Sequence, residues 1–203
     1  LNIAADGAIS TTTAGTSNVR LGVNAGDSIA SNAARNVCVG DEAGTAINSG
    51  TDNVAIGFEA LHDNTTGVGN VAIGFRAADL SNASFSVAIG YNTLGANTSG
   101  DSNIGVGTNA LGSNVDGGSN VAVGRDCLIT NSSGNNNIAM GRNALNQATT
   151  ADNNTSIGTD SGRFVTTASG STFVGTNAAK GITGAKLTGD NNTAIGESAG
   201  LLL

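Results

Sequence analysis

His62 is the chain's one histidine, and Cys38 and Cys127 are its only cysteines. A general base or neutral-pH metal ligand would be sought first at the histidine, and a nucleophile at a thiol. Neither cysteine falls near His62 in the repeat frame of the chain, so no Cys-His pair and no Ser-His-Asp constellation forms. Asp and Glu are scattered by position rather than paired for acid-base work, and no G-x-x-x-x-G-K-[ST] phosphate loop is present. Asp116-Gly117-Gly118 carries a fragment of the calcium-roll signature, which would have to recur in every turn and does not. The expectation is a protein that is not an enzyme and that uses no cofactor and no metal.

The remaining chemistry is that of surfaces. Net charge is −7 with 8 Lys and Arg together, which argues against nucleic acid and against an anionic membrane as partners. No apolar run approaches the length of a membrane-spanning helix, so no membrane insertion is expected of this segment. Both lysines, Lys180 and Lys186, lie in one short stretch with Thr183, which reads as a candidate ligand-contact loop. Phe58, Phe75 and Tyr91 recur at one phase and are expected to stack as a strip, either a ligand platform or an apolar contact.

What positions these residues is a repeat. Short hydrophobic phrases end in Gly22, Gly40, Gly57, Gly74, Gly90, Gly107, Gly124, Gly141, Gly158, Gly175 and Gly196, with steps of 16 to 18 residues and a final step of 21. A unit of ~17 residues cannot bury a core alone; stacked on its copies it can. The expected fold is all-β: a parallel β-roll solenoid of about eleven coils. Gly at 31 residues, Asn at 27, no Pro or Trp and 3% aromatic content fit thin coils better than a helical core. Disorder is disfavoured because only 11% of residues are charged and Val and Ile recur in phase.

Within a phrase such as Asn53-Val54-Ala55-Ile56-Gly57, strand side chains alternate. The β-branched flanks Val54, Ile56, Val71, Ile73, Val87, Ile89, Val121 and Val123 are expected to form the coil core. The small middle column Ala55, Ala72, Ala88, Gly105, Ala122 and Ala139 is expected to let a neighbouring backbone approach and so to be a subunit interface. Ala60 and Leu61, and their copies after each glycine, are expected to close the core from the opposite side. The polar residues two places after the glycine, such as Glu59 and Arg76, should face water and pair. The recurring Asn18, Asn36, Asn53, Asn70, Asn103, Asn120, Asn137, Asn154 and Asn192 are expected to stack as amide ladders. Each coil should hold two short strands and two turns.

Residues 1–17 fall outside the repeat and are expected to be a cap or transition; 18–203 form the β-roll domain. Cys38 and Cys127 lie five coils apart, roughly 24 Å at ~4.8 Å per coil, so two buried thiols are expected rather than a disulfide. A chain that starts at Leu1 is expected to be a segment of a longer protein.

The phrases Asn53-Val54-Ala55-Ile56-Gly57 and Asn70-Val71-Ala72-Ile73-Gly74, recurring over about residues 18–200, resemble the head repeats of YadA-like trimeric autotransporter adhesins. The longer form, with Ala-Leu and Asn-Thr-Thr-Gly between phrases, is similar to repeats in phage tail fibres and viral surface fibres. The resemblance implies a left-handed roll, three chains side by side, and attachment to a host-surface receptor or glycan. It implies an extracellular location, as a virion appendage or at a cell surface. The middle column would then face the threefold axis. An ice-binding or carbohydrate-binding solenoid is the alternative, though a Thr array of ice-binding regularity is missing: Thr65 and Thr98 share a phase that Ser132 interrupts.

Overall fold

The computed structural model describes residues 2–3, 9–10, 15–182 and 188–201. In the N-terminal segment, β1 (Asn2–Ile3) pairs antiparallel with β2 (Ile9–Ser10). The rest is an all-β parallel solenoid with no helix among the described residues. Eleven three-residue strands bound its ten turns: β3 (Val19–Leu21), β4 (Val37–Val39), β5 (Val54–Ile56), β6 (Val71–Ile73), β7 (Val87–Ile89), β8 (Ile104–Val106), β9 (Val121–Val123), β10 (Ile138–Met140), β11 (Thr155–Ile157), β12 (Thr172–Val174) and β13 (Thr193–Ile195). They form one sheet in sequence order, every neighbour parallel and in register, so that Ala55 lies between Cys38 and Ala72.

Each coil carries one strand, not two. The corner glycine ends the strand: Gly57 has φ +128°, and a Cβ there would lie 2.6 Å from the carbonyl oxygen of Gly74 in the next coil. Only a residue without a side chain lets the coils close up at this corner. The second wall then zigzags through left-handed residues, Glu59 and Leu61 both at φ +52°, a conformation incompatible with a strand. Its backbone is nonetheless paired between coils. Glu59 N–H donates to Asp41 O (3.1 Å), Leu61 N–H to Ala77 O (2.9 Å) and Asp63 N–H to Asp79 O (2.8 Å). The groups of this wall thus alternate between the coil before and the coil after, which satisfies them as a sheet would.

The interior reverses the expected faces of the strand. Ala55, Ala72, Ala88, Gly105, Ala122 and Ala139 were expected at a subunit interface; they point into their own coil and are fully buried within one chain. Val54, Ile56, Val71, Ile73, Val87, Ile89, Val121 and Val123, expected in the coil core, project outward, Ile56 and Ile89 being 37% exposed. The reason is thickness. The wall opposite contributes Ala60 and Leu61, Leu94, Ala110 and Leu111, Cys127 and Leu128, and Ala144 and Leu145, all fully buried as expected. They leave room for about one methyl group from the strand, and a β-branched residue would overfill the coil.

Two amide ladders complete the interior. In the first, Asn53 donates through N–H and Nδ2 to Asn36 Oδ1, both at 3.1 Å, and Nδ2 also reaches Gly67 O at 2.9 Å. Asn70, Asn120, Asn137 and Asn154 repeat this on the amide one coil before. Ser86 and Ser171 stand in the column where Asn is missing; Ser86 Oγ accepts from Asn103 N–H at 3.2 Å. The second ladder, at the far corner, runs from Asn97 through Asn114 to Asn131, with Nδ2 donating to the preceding Oδ1 at 2.8 and 2.7 Å. Bonds between buried amides in this thin core stiffen the stack where large apolar groups are scarce.

Candidate functional site

The strand wall presents an uncharged outer face. Its two columns read Val, Leu, Ile, Met and Thr through all eleven strands, with Ile104, Ile138 and Met140 each 40% exposed. Eleven strands at ~4.8 Å and three residues at ~3.3 Å make a strip about 50 Å by 10 Å, on the order of 500 Å². That lies at the upper end of the apolar patch a soluble monomer leaves bare.

A rib of rings runs along the adjoining corner. Phe58 and Phe75 are stacked with centroids 5.4 Å apart, and Phe75 and Tyr91 at 5.3 Å with planes 7° apart. The in-register coils impose this spacing, as expected from the sequence. Arg76 lies over the Phe75 ring at 5.6 Å and pairs with Glu59, also as expected. The inner ring faces cover one another, so edges, not faces, are offered to solvent; a pyranose stacking flat on successive rings would find those faces taken.

His62 sits among carboxylates: Nδ1 lies 2.8 Å from Asp63 and 3.9 Å from Asp79, and Nε2 3.4 Å from Glu42. Burial pushes the Asp79 carboxyl above its usual range, against the pull of His62. Among the described residues no group of three or more His, Cys, Asp or Glu side chains is arranged to hold a metal ion. Cys38 and Cys127 are both free and buried. Burial pushes their thiols up to about 11 and about 12, the condition of inert packing groups rather than nucleophiles.

A fourth feature lies on the second wall of the C-terminal coils. Asp160 is nearly buried, accepts from Asn143 Nδ2 at 2.8 Å, and faces Arg163 Nη1 at 3.5 Å and Lys180 Nζ at 3.4 Å. Burial alone would raise its carboxyl; the Asn143 amide and the two cations outweigh that and hold it below the usual range. Arg163 stacks on Phe164 at 5.2 Å, and its Nε is buried without a hydrogen-bond partner. Beside them opens a concavity of about 520 Å³ lined by Arg163, Phe164, Lys180, Gly181, Ile182 and Leu201.

Lys180 of the expected ligand-contact loop is therefore at a concavity, while Thr183 and Lys186 lie outside the described residues. Asp160 and Arg163 were missed because each is an ordinary polar residue in its own column. Their signal is positional: Arg163 and Lys180 occupy the same place, five residues after Gly158 and Gly175, in consecutive coils.

No protein-family model matches this chain, and no curated protein or solved structure proves similar to it.

Proposed function

We propose that this chain is a structural and adhesive rod, a segment of a homotrimeric fibre or surface appendage used for host attachment. The observation that carries the reading is the outer face of the strand wall, uncharged along the stack and mainly Val and Ile, with Thr155, Thr172 and Thr193 in its last three strands. A second copy of the same wall matches it in length, period and lack of charge, and pairing copies buries a surface that a lone chain exposes to water. The number three, the left-handed winding and the extracellular setting follow from the likeness of the Asn-Val-Ala-Ile-Gly phrases to adhesin head and tail-fibre repeats. The subunit contact falls on Val54, Ile56, Val71, Ile73, Val87, Ile89, Val121 and Val123, because the alanine column is spent inside each coil. The host-surface receptor, protein or glycan, is engaged by the walls and corners away from this face.

Light scattering on the purified chain tests the assembly. A mass three times the 19.7 kDa of the chain is expected. A stable monomer at micromolar concentration overturns it.

A further inference from the structure

We propose that the concavity between Arg163, Phe164, Lys180, Ile182 and Leu201 is a binding site for an acidic sugar, a terminal pyranose bearing a carboxylate. The inference deepens the attachment reading by naming a ligand class, but it stands on residues of one chain alone.

The argument is one of charge, leftover donors and shape. Two cations share one carboxylate: Lys180 Nζ and Arg163 Nη1 approach Asp160 at 3.4 and 3.5 Å, longer than a good charge-assisted bond. Asp160 already takes the Asn143 amide at 2.8 Å. The group therefore carries a net positive charge with donors to spare, in a chain whose net charge is −7. Arg163 Nε is buried and lacks an acceptor, while the side chain as a whole is 35% exposed, so the terminal guanidinium N–H groups are the donors a ligand meets. Opposite the cations stand apolar surfaces, with Ile182 51% and Leu201 38% exposed and Phe164 beneath the guanidinium. A sugar acid offers both parts, a carboxylate for the cations and the C–H face or acyl group of the ring for the apolar side. The volume of about 520 Å³ lies within the range of small-ligand sites.

A peptide fits less well. Phe164 N–H is given to Lys180 O at 3.1 Å and Ala179 N–H to Ala199 O at 2.8 Å, so these backbone donors are not free to pair with an added strand. The site also lies on the second wall, five to seven residues past the corner glycines, whereas the Val/Ile face precedes them. Assembly through that face leaves the site open.

The test is calorimetric titration of the full chain with N-acetylneuraminic acid and with glucuronic acid, each beside its methyl ester. The acids should bind, and the esters at least about tenfold more weakly, a loss on the order of that for one charge-assisted contact. Lys180→Ala should weaken acid binding about tenfold, and Arg163→Met likewise, while Arg125→Ala, on another corner, changes nothing. Lys180→Ala removes a side chain that is 28% exposed, so a folded variant is expected even if Arg163→Met proves unstable. Equal affinity for acid and ester, unchanged affinity in a folded Lys180→Ala variant, absence of binding, or binding of an acidic peptide but of neither sugar acid would each overturn the proposal. A monomeric chain that still binds the acids would remove the trimer and leave this site standing.

Discussion

The ring of Phe173 occupies the space that a side chain at Gly162 would take. A Cβ built on Gly162 would lie 2.9 Å from Phe173 Cδ2, and Phe173 is fully buried. Elsewhere the two positions are filled the other way round, as by Ala122 with Leu111 and Leu128, or Ala139 with Leu128 and Leu145. Where Cys38 replaces alanine on the strand, Gly26 and Gly44 stand opposite; where Thr93 enlarges the second wall, Gly105 stands on the strand, a Cβ there falling 2.5 Å from Thr93 Cγ2. Large faces small across each coil, because the interior volume per coil is fixed by the backbone spacing.

This pairing predicts strong coupling. Phe173→Ala opens a cavity and should cost about 3–5 kcal/mol. Gly162→Leu overpacks the coil and should cost about 1–3 kcal/mol. The double variant places leucine opposite alanine, as at Leu128 and Ala139, and should recover a large part of the loss. Denaturant melts of all four proteins read the coupling; additive losses would refute the fit of one side chain to the other.

The two faces of the strand should respond differently to charge. Ala122→Asp buries a carboxylate in a coil with no cation opposite and should abolish folding or cost more than about 4 kcal/mol. Ile138→Asp places the same group on the outer face and should leave the circular dichroism spectrum intact while lowering the mass seen by light scattering. An Ala122→Asp variant that folds normally but dissociates would restore the interface to the alanine column.

Asn131 Oδ1 is buried without a partner, because Ala148 occupies the next place in its column and ends the second ladder. Ala148→Asn extends the ladder by one amide, whose Nδ2 would donate to Asn131. A gain of about 1 kcal/mol is expected, the net worth of one buried hydrogen bond, visible as a higher melting temperature. A lower melting temperature would mean that the coil at Ala148 lacks the room its neighbours have.

In the first ladder, Asn120 donates to Asn103 and Gly134 and accepts from Asn137. Asn120→Ala keeps the backbone N–H on Asn103 Oδ1 but strands two donors of Asn137, its N–H and one Nδ2 hydrogen, and should cost about 2–4 kcal/mol. Asn120→Ser should cost less, since Ser86 holds this place and still accepts from Asn103. Equal losses for the two variants would show that the hydroxyl does not substitute for the amide.

The buried thiols set an alkaline limit. Their folded pKa values, about 11 for Cys38 and about 12 for Cys127, are raised by burial above the ordinary 9.0. The unfolded chain therefore loses these protons first, so their contribution is whole below about pH 9 and falls as pH rises toward 11 and 12. Alkylation by iodoacetamide at pH 8 should be negligible in the native protein and complete in denaturant. Melting temperature should fall above pH 9, and less so in a Cys127→Ala variant, where alanine is the residue most coils hold at that place. Rapid native alkylation would show the thiols to be accessible.

The sequence by itself determined the winding. The glycine period, the Asn columns and the phase of Phe58, Phe75 and Tyr91 repeat at ~17 residues, and any in-register stack must bring such copies together. It equally set which residues alternate along each strand. Which of the two alternating sets faced inward was decided only by the tertiary structure, because alternation is symmetric: Val54 and Ile56 oppose Ala55 whichever way the strand is turned. The tie was broken by volume, since Leu61 and its copies enter from a wall that is not a strand and leave room for a methyl group alone. The exchange of Phe173 with Gly162 records that limit in the sequence, but it is legible only once the coil is closed and the two positions are known to meet. Arg163, Lys180 and Asp160 likewise became a site only when consecutive coils stacked their columns.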